Sequence, residues 1–313
     1  MQALLIDRNA SNRQLLRYCF ILLLILFLPA TSNAQQPQDD DVVRVNTDLV
    51  VVNVTVTDGS GKYARGLRGS DFKLMEDGRE QTISNFTAEE TPFAAVVLLD
   101  FSGSMENRVS MARSAAIRFL DGLRDDDVAA VYRFDSEVEQ LQDFSPSRDL
   151  APTAFGMKAK GMTVLNDAVL RAAIDLSHRP EKRRAIVVLS DGQDTKSSAS
   201  MDKALTAALS AGVTIYTVDM SDPATSSQQD RAQGTAALRH FADKSGGRYI
   251  ASPGGKALRE AFTSIVEELG NQYTLSYRPQ NLARDGRWRE IEIKLSKPDL
   301  KARTRKGYRA PKG

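Results

Sequence analysis

The sequence predicts an α/β fold in which a doubly wound, mostly parallel sheet is inserted in a small β-sandwich formed by the N- and C-terminal segments. Between residues 93 and 269, continuous apolar runs alternate with stretches of helical periodicity, as expected for strands that are buried on both faces of a parallel sheet. On both sides of this region apolar residues alternate with polar ones, which is typical of antiparallel strands with one exposed face.

The elements of the α/β region are assigned from their periodicity. The four apolar runs span residues 93–99, 128–134, 185–190 and 213–218. Residues 137–144 predict an additional strand that forms a hairpin with the second run. The helical stretches are residues 108–123, 164–177, 201–211, 236–245 and 256–269. A sheet of this kind binds its ligands at the carboxyl ends of the strands.

The two β regions complement each other. Residues 42–86 contain a β-branched stretch and the hairpin signal Asp77-Gly78, and the alternation returns at Tyr273 and continues to Tyr308. Each region alone has too few strands to close a core and leaves unpaired edges. We therefore expect one sandwich built from both regions; two independent β extensions packed on the α/β region are the alternative.

The N-terminal residues predict export. Arg13 and Arg17 precede an apolar run over residues 19–30, and small residues form a cleavage site that ends at Ala34. The run is short for a membrane span. We therefore expect a cleaved signal peptide, a secreted or periplasmic protein and no membrane span after cleavage; an uncleaved anchor is the alternative. Cleavage after Ala34 removes Cys19, the only cysteine.

The changes of periodicity divide the chain into five segments. They are a signal peptide (1–34), a flexible leader (35–41), the N-terminal half of the sandwich (42–90), the α/β domain (91–270), and the C-terminal half of the sandwich with a basic tail (271–313). We interpret the basic tail as charged residues that protect an edge strand from pairing with another chain.

The charge balance argues against a nucleic acid partner. The chain has 313 residues with 42 basic and 40 acidic side chains, and three of the basic and one of the acidic residues lie within residues 1–34. The remaining chain therefore carries equal numbers of both signs. Such a surface has no general electrostatic attraction to nucleic acid or to an anionic membrane.

Five oxygen-bearing side chains lie next to predicted strand ends or, in one case, a helix start. Asp100, Ser102 and Ser104 follow the first apolar run, Asp191 follows the third, and Thr163 precedes a helical stretch. The carboxyl ends of parallel strands meet at one edge of a sheet. Oxygen donors suit Mg²⁺ better than zinc, which favours nitrogen and sulfur. The sequence therefore predicts a divalent-metal site, with Mg²⁺ as the first choice and Mn²⁺ or Ca²⁺ as alternatives.

The pattern Asp100-x-Ser102-x-Ser104, followed by Thr163 and then by Ser190-Asp191-Gly192, resembles the metal-ion-dependent adhesion site (MIDAS) of von Willebrand factor type A (VWFA) domains. The resemblance covers about residues 91–270, and the flanking β segments are similar to those of bacterial secreted members. It implies that Asp100, Ser102 and Ser104 supply the first loop of metal ligands, Thr163 the second and Asp191 the third. It also implies a function in cell adhesion or protein binding.

Each of these loops also has an ordinary structural interpretation. Asp and Ser are preferred helix caps, and Thr163 and Asp191 are common types of turn residue. Three loops in this order are better explained by a metal site than by a coincidence of caps. Asn166 and Asp194 lie close by in sequence, and we expect them to be supporting or surface residues rather than ligands.

Catalysis is not expected. Ser102 is not in a nucleophile elbow, and the chain contains no phosphate-binding G-x-x-x-x-G-K-[ST] motif. The two histidines are His178, at the end of a helical stretch, and His240, within another. Neither is paired with a nucleophile in the pattern, so we predict a protein without enzymatic activity.

The predicted function is capture of a protein partner that presents a carboxylate. Two ligand carboxylates leave a divalent cation able to accept an acidic residue of the partner. Phe101 and Met105 flank the ligand residues and are either exposed as interface anchors or packed beneath the loop. The alternative function is an envelope scaffold in which the metal only staples the loops. The sequence does not define an oligomeric state.

Overall fold

The computed structural model describes residues 49–88, 91–148, 150, 161–224, 226–251 and 255–313. All of them lie in one compact unit. The signal peptide predicted for residues 1–34 and the leader predicted for residues 35–41 lie outside the described residues. Within the described ranges, no helix has the length and apolar character needed to cross a membrane.

The described residues form fourteen strands and five α-helices. The strands are β1 (Val50–Thr57), β2 (Phe72–Glu76), β3 (Arg79–Gln81), β4 (Ile83–Thr87), β5 (Phe93–Asp100), β6 (Val128–Phe134), β7 (Val138–Ser145), β8 (Arg183–Ser190), β9 (Val213–Asp219), β10 (Tyr249–Ala251), β11 (Tyr273–Tyr277), β12 (Trp288–Leu295), β13 (Lys301–Arg303) and β14 (Gly307–Arg309). The helices are α1 (Val109–Asp121), α2 (Leu165–Ser177), α3 (Met201–Ser210), α4 (Gln228–Ser245) and α5 (Gly255–Gly270).

The central sheet has six strands in the described residues, in the order β10-β9-β8-β5-β6-β7. Strands β10, β9, β8, β5 and β6 are parallel, and β7 pairs antiparallel with β6. The doubly wound sheet and its hairpin are therefore confirmed. The edge strand β10 was not predicted, because three residues are too few to show a periodicity.

Alternate residues of β5 contribute to the two faces of the sheet. Val97 and Leu99 belong to one apolar core together with residues of α1 and α5. Val96 and Leu98 belong to the second core, which α2, α3 and α4 cover. Because both faces are covered, every residue of β5 is buried, which explains its continuous apolar sequence.

The N- and C-terminal strands form one sandwich, as predicted. One sheet has the order β13-β1-β11-β4 and the other β14-β12-β2-β3. Val52 pairs with Leu275 in the first sheet, and Leu74 pairs with Ile293 in the second. The two sheets share an apolar core. The sandwich therefore depends on strands from both sides of the α/β region, and neither side closes it alone.

The buried carboxylate of Glu268 attaches α5 to the sandwich. It accepts hydrogen bonds from Thr55 Oγ1 of β1 at 3.1 Å and from Tyr216 OH of β9 at 2.7 Å. It also forms ion pairs with Arg248, at 2.8 Å, and with Arg303 of β13. Four partners from different elements satisfy this buried charge. The carboxyl-terminal turn of α5 is therefore fixed against both the sandwich and the central sheet.

Helix α4 begins at Gln228, eight residues before the predicted start. Ser227 caps it by accepting a hydrogen bond from the Asp230 N–H at 3.1 Å. Its first two turns are too polar to show a helical period. Gly234 in this part is buried, and a Cβ atom there would lie 2.1 Å from the carbonyl oxygen of Asp191. Only glycine therefore allows α4 to approach the loop that follows β8.

The contact at Gly234 predicts the effect of adding one methyl group. We expect Gly234→Ala to lower the free energy of unfolding by about 1–3 kcal/mol, because the new Cβ overlaps the Asp191 carbonyl. Gly270→Ala is the matched control: it is also a helical glycine, and its Cβ meets no atom within 4 Å. The control should be neutral or slightly stabilising. Urea unfolding checks both, and equal effects would contradict the packing described.

Candidate metal centre

The predicted ligand residues lie at the carboxyl edge of the central sheet. Asp100 is the last residue of β5, and Asp191 directly follows β8, the neighbouring parallel strand. Ser102 and Ser104 belong to the loop and 3₁₀ turn after β5, and Thr163 lies two residues before α2. Four of these residues are buried, and Ser104 is exposed. The five positions therefore lie in three loops of one rim.

The first loop is held by the carboxylate of Asp100. One oxygen, Oδ1, accepts a hydrogen bond from the Ser102 N–H at 2.8 Å. The other, Oδ2, accepts one from the Ser190 hydroxyl at 2.6 Å. The hydroxyls of Ser102 and Ser104 are 3.1 Å apart. Ser190 also accepts a hydrogen bond from the Gly192 N–H at 2.9 Å, so its hydroxyl joins the first loop to the third.

The second and third loops are joined by direct hydrogen bonds. The Thr163 N–H donates to Thr195 Oγ1 at 2.8 Å, and the Thr195 N–H donates to the Thr163 carbonyl at 2.9 Å. Asp194 accepts a hydrogen bond from the Asn166 N–H at 2.7 Å. A Cβ on Gly103 would lie 3.9 Å from the Gly161 carbonyl, so the first loop lies beside the second. The structure thus brings all three predicted loops together.

The charges at the rim are not balanced by basic groups. Burial, and then the negative charge of Asp191, raise the pKa of Asp100 to about 7, against the hydrogen bonds from Ser102 and Ser190. Across the described ranges, neither carboxylate forms an ion pair with Lys, Arg or His. Two buried carboxylates next to three hydroxyls, without a counter-charge, fit a hard divalent cation. Metal binding by these residues remains a prediction.

The site differs in kind from a cluster of carboxylates and histidines. Among the described residues, no group of three or more His, Cys, Asp or Glu side chains is placed to hold a metal ion. The predicted set contains only two carboxylates, Asp100 and Asp191, and its other members are hydroxyls. Such a set is recognised from the order of its loops rather than from a concentration of charged residues.

The sequence allowed two arrangements of the apolar residues near the centre, exposed as interface anchors or packed beneath the loop, and the structure has the second. Phe101 and Met105 are completely buried in the core beneath the first loop. Among the described residues of this rim, the large apolar side chain that is exposed is Met162, with 54% of its surface accessible. It immediately precedes Thr163. The sequence did not single it out, because one methionine in a short loop belongs to no periodic pattern.

Neither histidine lies in the three loops of the rim. His178 follows α2, a helix that begins at the rim, so the residue lies at the far end of that helix. His240 lies on an exposed part of α4. Their positions give no nucleophile–base pair with the rim serines.

Comparison with known proteins gives one family match. The family model described as VWA domain containing CoxE-like protein matches residues 75–246. The vWF domain of the type V pili tip protein Mfa5 from Porphyromonas gingivalis is 14% identical, with a TM-score of 0.47 over 57% of this chain and 95% of that chain. The von Willebrand factor type A structure from Catenulispora acidiphila is 15% identical, with a TM-score of 0.44 over 84% and 73%.

A third structure with a similar fold is the pilus adhesin SpaC from Lactobacillus rhamnosus GG in its open conformation. It is 11% identical, with a TM-score of 0.45 over 81% of this chain and 49% of that chain. A search of curated proteins found no match.

The raised pKa of Asp100 predicts how the stability of the metal-free chain depends on pH. The folded state binds this proton more tightly than the unfolded state, whose ordinary pKa is 3.8. Stability is therefore lost as the pH rises from about 4 through about 7, by up to about 4 kcal/mol at pH 8. We expect Asp100→Asn to remove this loss, because the amide has no charge to desolvate.

Urea unfolding in EDTA at pH 5 and pH 8 measures this effect. Asp100→Asn should be more stable than the parent chain at pH 8, and Mg²⁺ should stabilise only the parent. Asp285→Asn is the control, because Asp285 has its pKa lowered by the Arg287 N–H and by Arg289. That control should show no gain at pH 8. A less stable Asp100→Asn chain at pH 8 would contradict the electrostatic account.

Proposed function

The chain belongs to the family of VWA domain-containing CoxE-like proteins, and we propose that it is an exported protein-binding module. A divalent cation, Mg²⁺ in the first place, would be held by the rim oxygens of Asp100, Ser102, Ser104, Thr163 and Asp191. When bound, the cation would supply a positive charge with an affinity for carboxylates. The partner would be a protein that presents an acidic residue, and the location would be periplasmic or extracellular.

The observation that carries this proposal is the pair of buried carboxylates without a counter-charge. Asp100 and Asp191 together carry at most two negative charges, and the three hydroxyls add none. A divalent cation among them would have at most two charged ligands, and the hydroxyls would leave the rest of its coordination sphere without negative charge. A further carboxylate is then a favourable ligand. Ser104 is exposed, so this part of the rim is open to a partner.

A role in which the cation only staples the loops is less well supported. The Thr163–Thr195 pair, the Asn166–Asp194 contact and the Asp100–Ser190 contact already join the three loops directly. A cation is therefore not needed to bring the loops together. Under the scaffold alternative, removing the metal would unfold the rim while self-association persisted.

A binding role is also favoured over catalysis. The carboxylate of the buried Asp100 is already occupied by hydrogen bonds from Ser102 and Ser190. The serine hydroxyls lack a neighbouring histidine base. We expect a panel of phosphate and ester substrates to show no turnover above background.

Thr163→Ala tests the proposed metal centre, because it removes one neutral ligand while keeping the backbone hydrogen bonds to Thr195 and Lys196. We expect Mg²⁺ affinity to fall at least about tenfold, with the fold unchanged by circular dichroism. Thr263→Ala, at a half-buried position of α5 outside the three loops, is the control and should bind Mg²⁺ like the parent chain. Isothermal titration calorimetry measures both affinities.

The same variants test partner binding. Proteins retained by the immobilised parent chain should be released by EDTA, recovered by adding Mg²⁺, and missing from the Thr163→Ala column. Mass spectrometry of the eluates identifies them. Retention that survives both EDTA and Thr163→Ala would show that metal-dependent carboxylate capture is not how this protein binds.

A further inference from the structure

A cavity opens on the same rim as the candidate metal centre. It has a volume of about 720 Å³ and lies at the carboxyl ends of β9 and β10, beside the first turns of α4. Its charged lining residues are Arg108, Arg231 and Asp219. The carboxyl edge of a parallel sheet is where α/β folds bind ligands, and the volume is in the range of ligand pockets.

The carboxylate of Asp219 in this cavity is already satisfied. It accepts hydrogen bonds from the Ser221 N–H at 2.9 Å, from Thr235 Oγ1 at 2.8 Å and from Tyr249 OH at 2.7 Å. Asp219 is 5% exposed. The protons of both hydroxyls are used in these bonds. The part of the cavity lined by Asp219, Thr235 and Tyr249 therefore has little donor capacity left for a ligand.

The two guanidinium groups retain donor capacity. Arg108 pairs with Asp222 at 3.3 Å, and its Nε atom is buried without a hydrogen-bond partner among the described residues. Because that atom is buried, only the terminal nitrogens of Arg108 can serve a ligand. Asp222 is shared, because it also accepts a hydrogen bond from the Ala224 N–H at 2.9 Å. Arg231 uses one terminal nitrogen for the Ser226 carbonyl. Since each guanidinium carries five N–H donors, a ligand that brings acceptor oxygens suits this cavity.

The cavity and the candidate metal centre share structural elements. Arg108 ends the 3₁₀ turn that begins at Gly103, directly after Ser102. On the other side, Gly234 of α4 packs on the loop of Asp191, and the Met220 N–H donates to the Ser190 carbonyl at 2.9 Å. The two places are therefore neighbours on the rim, joined by short stretches of chain. The start of α4 and the segment after β9, which lie between the two places, are held against the end of β8 by these contacts.

We infer that the cavity between Arg108 and Arg231 is an anion-binding subsite that receives a second acidic side chain of the polypeptide bound at the metal centre. That both acidic groups belong to one partner rests on the proposed function; binding of a carboxylate in the cavity does not. Guanidinium groups bind carboxylates with charge-assisted, often bidentate hydrogen bonds. The partner segment is thus acidic at two nearby positions.

The test uses the full chain and a synthetic hexa-aspartate peptide as the probe. Calorimetry in EDTA isolates the cavity from the metal centre. We expect weak binding by the parent chain in EDTA, at least tenfold weakening by Arg231→Ala, and partial recovery in Arg231→Lys. Arg259→Ala, an exposed arginine on α5, is the matched control and should bind like the parent. Thermal melts establish that each variant is folded.

The outcomes separate this inference from the proposed function. If the parent chain does not bind the peptide in EDTA, or if Arg231→Ala binds it equally well, the subsite does not exist, whatever the effect of Mg²⁺. If the EDTA-resistant binding is present but Mg²⁺ adds nothing, the subsite holds and the metal proposal fails. Inorganic phosphate is the second probe: displacement of the peptide by equimolar phosphate would overturn the assignment to an acidic side chain.

Discussion

The constraint on which the rim depends is the burial of the Asp100 carboxylate next to Asp191. Strand β5 is buried throughout, and its last side chain, Asp100, is shielded from water. A charge at such a position is costly. Burial and the neighbouring carboxylate raise the pKa of Asp100 to about 7. A metal-free chain at neutral pH therefore loses stability at this position. A hard cation bound there would offset that loss.

The rest of the rim is built to keep this arrangement rigid. Ser190 orients Asp100 and at the same time holds Gly192. Close contact between Gly192 and Gly234 sets the third loop against α4. Because these contacts involve backbone and short side chains, they leave little room for adjustment. Preorganised oxygen donors of this kind are what a small cation requires, since Mg²⁺ tolerates little deviation from its preferred geometry.

The sandwich and the α/β region are joined through buried polar groups as well as chain connections. Glu268 binds side chains from β1, β9 and β13 and so fixes the end of α5. Arg183, buried at the start of β8, donates to Thr274 of β11 at 3.2 Å. Sliding of α5 along its axis would leave the Glu268 charge buried without partners, which is strongly unfavourable. We therefore expect this joint to behave as a fixed support for the rim.

The sequence was most informative where burial decides the pattern. Strands β5 and β8 are apolar throughout because both faces are covered, so the residues after them, Asp100 and Asp191, could be placed at one edge. The start of α4 could not be placed, since Ser227 and polar side chains initiate it. The cavity could not be found either. Arg108 and Arg231 are far apart in sequence, and only the folded chain brings them together.

Crystals of the chain grown with Mn²⁺ would show whether a metal binds at this rim, because the anomalous scattering of Mn²⁺ locates the ion without any assumption about ligands. We expect one strong anomalous peak within bonding distance of oxygens from Asp100, Ser102 and Ser104, with Thr163 and Asp191 in direct contact or linked through one water. A fully bound Mn²⁺ elsewhere, with no peak at this rim, would contradict it.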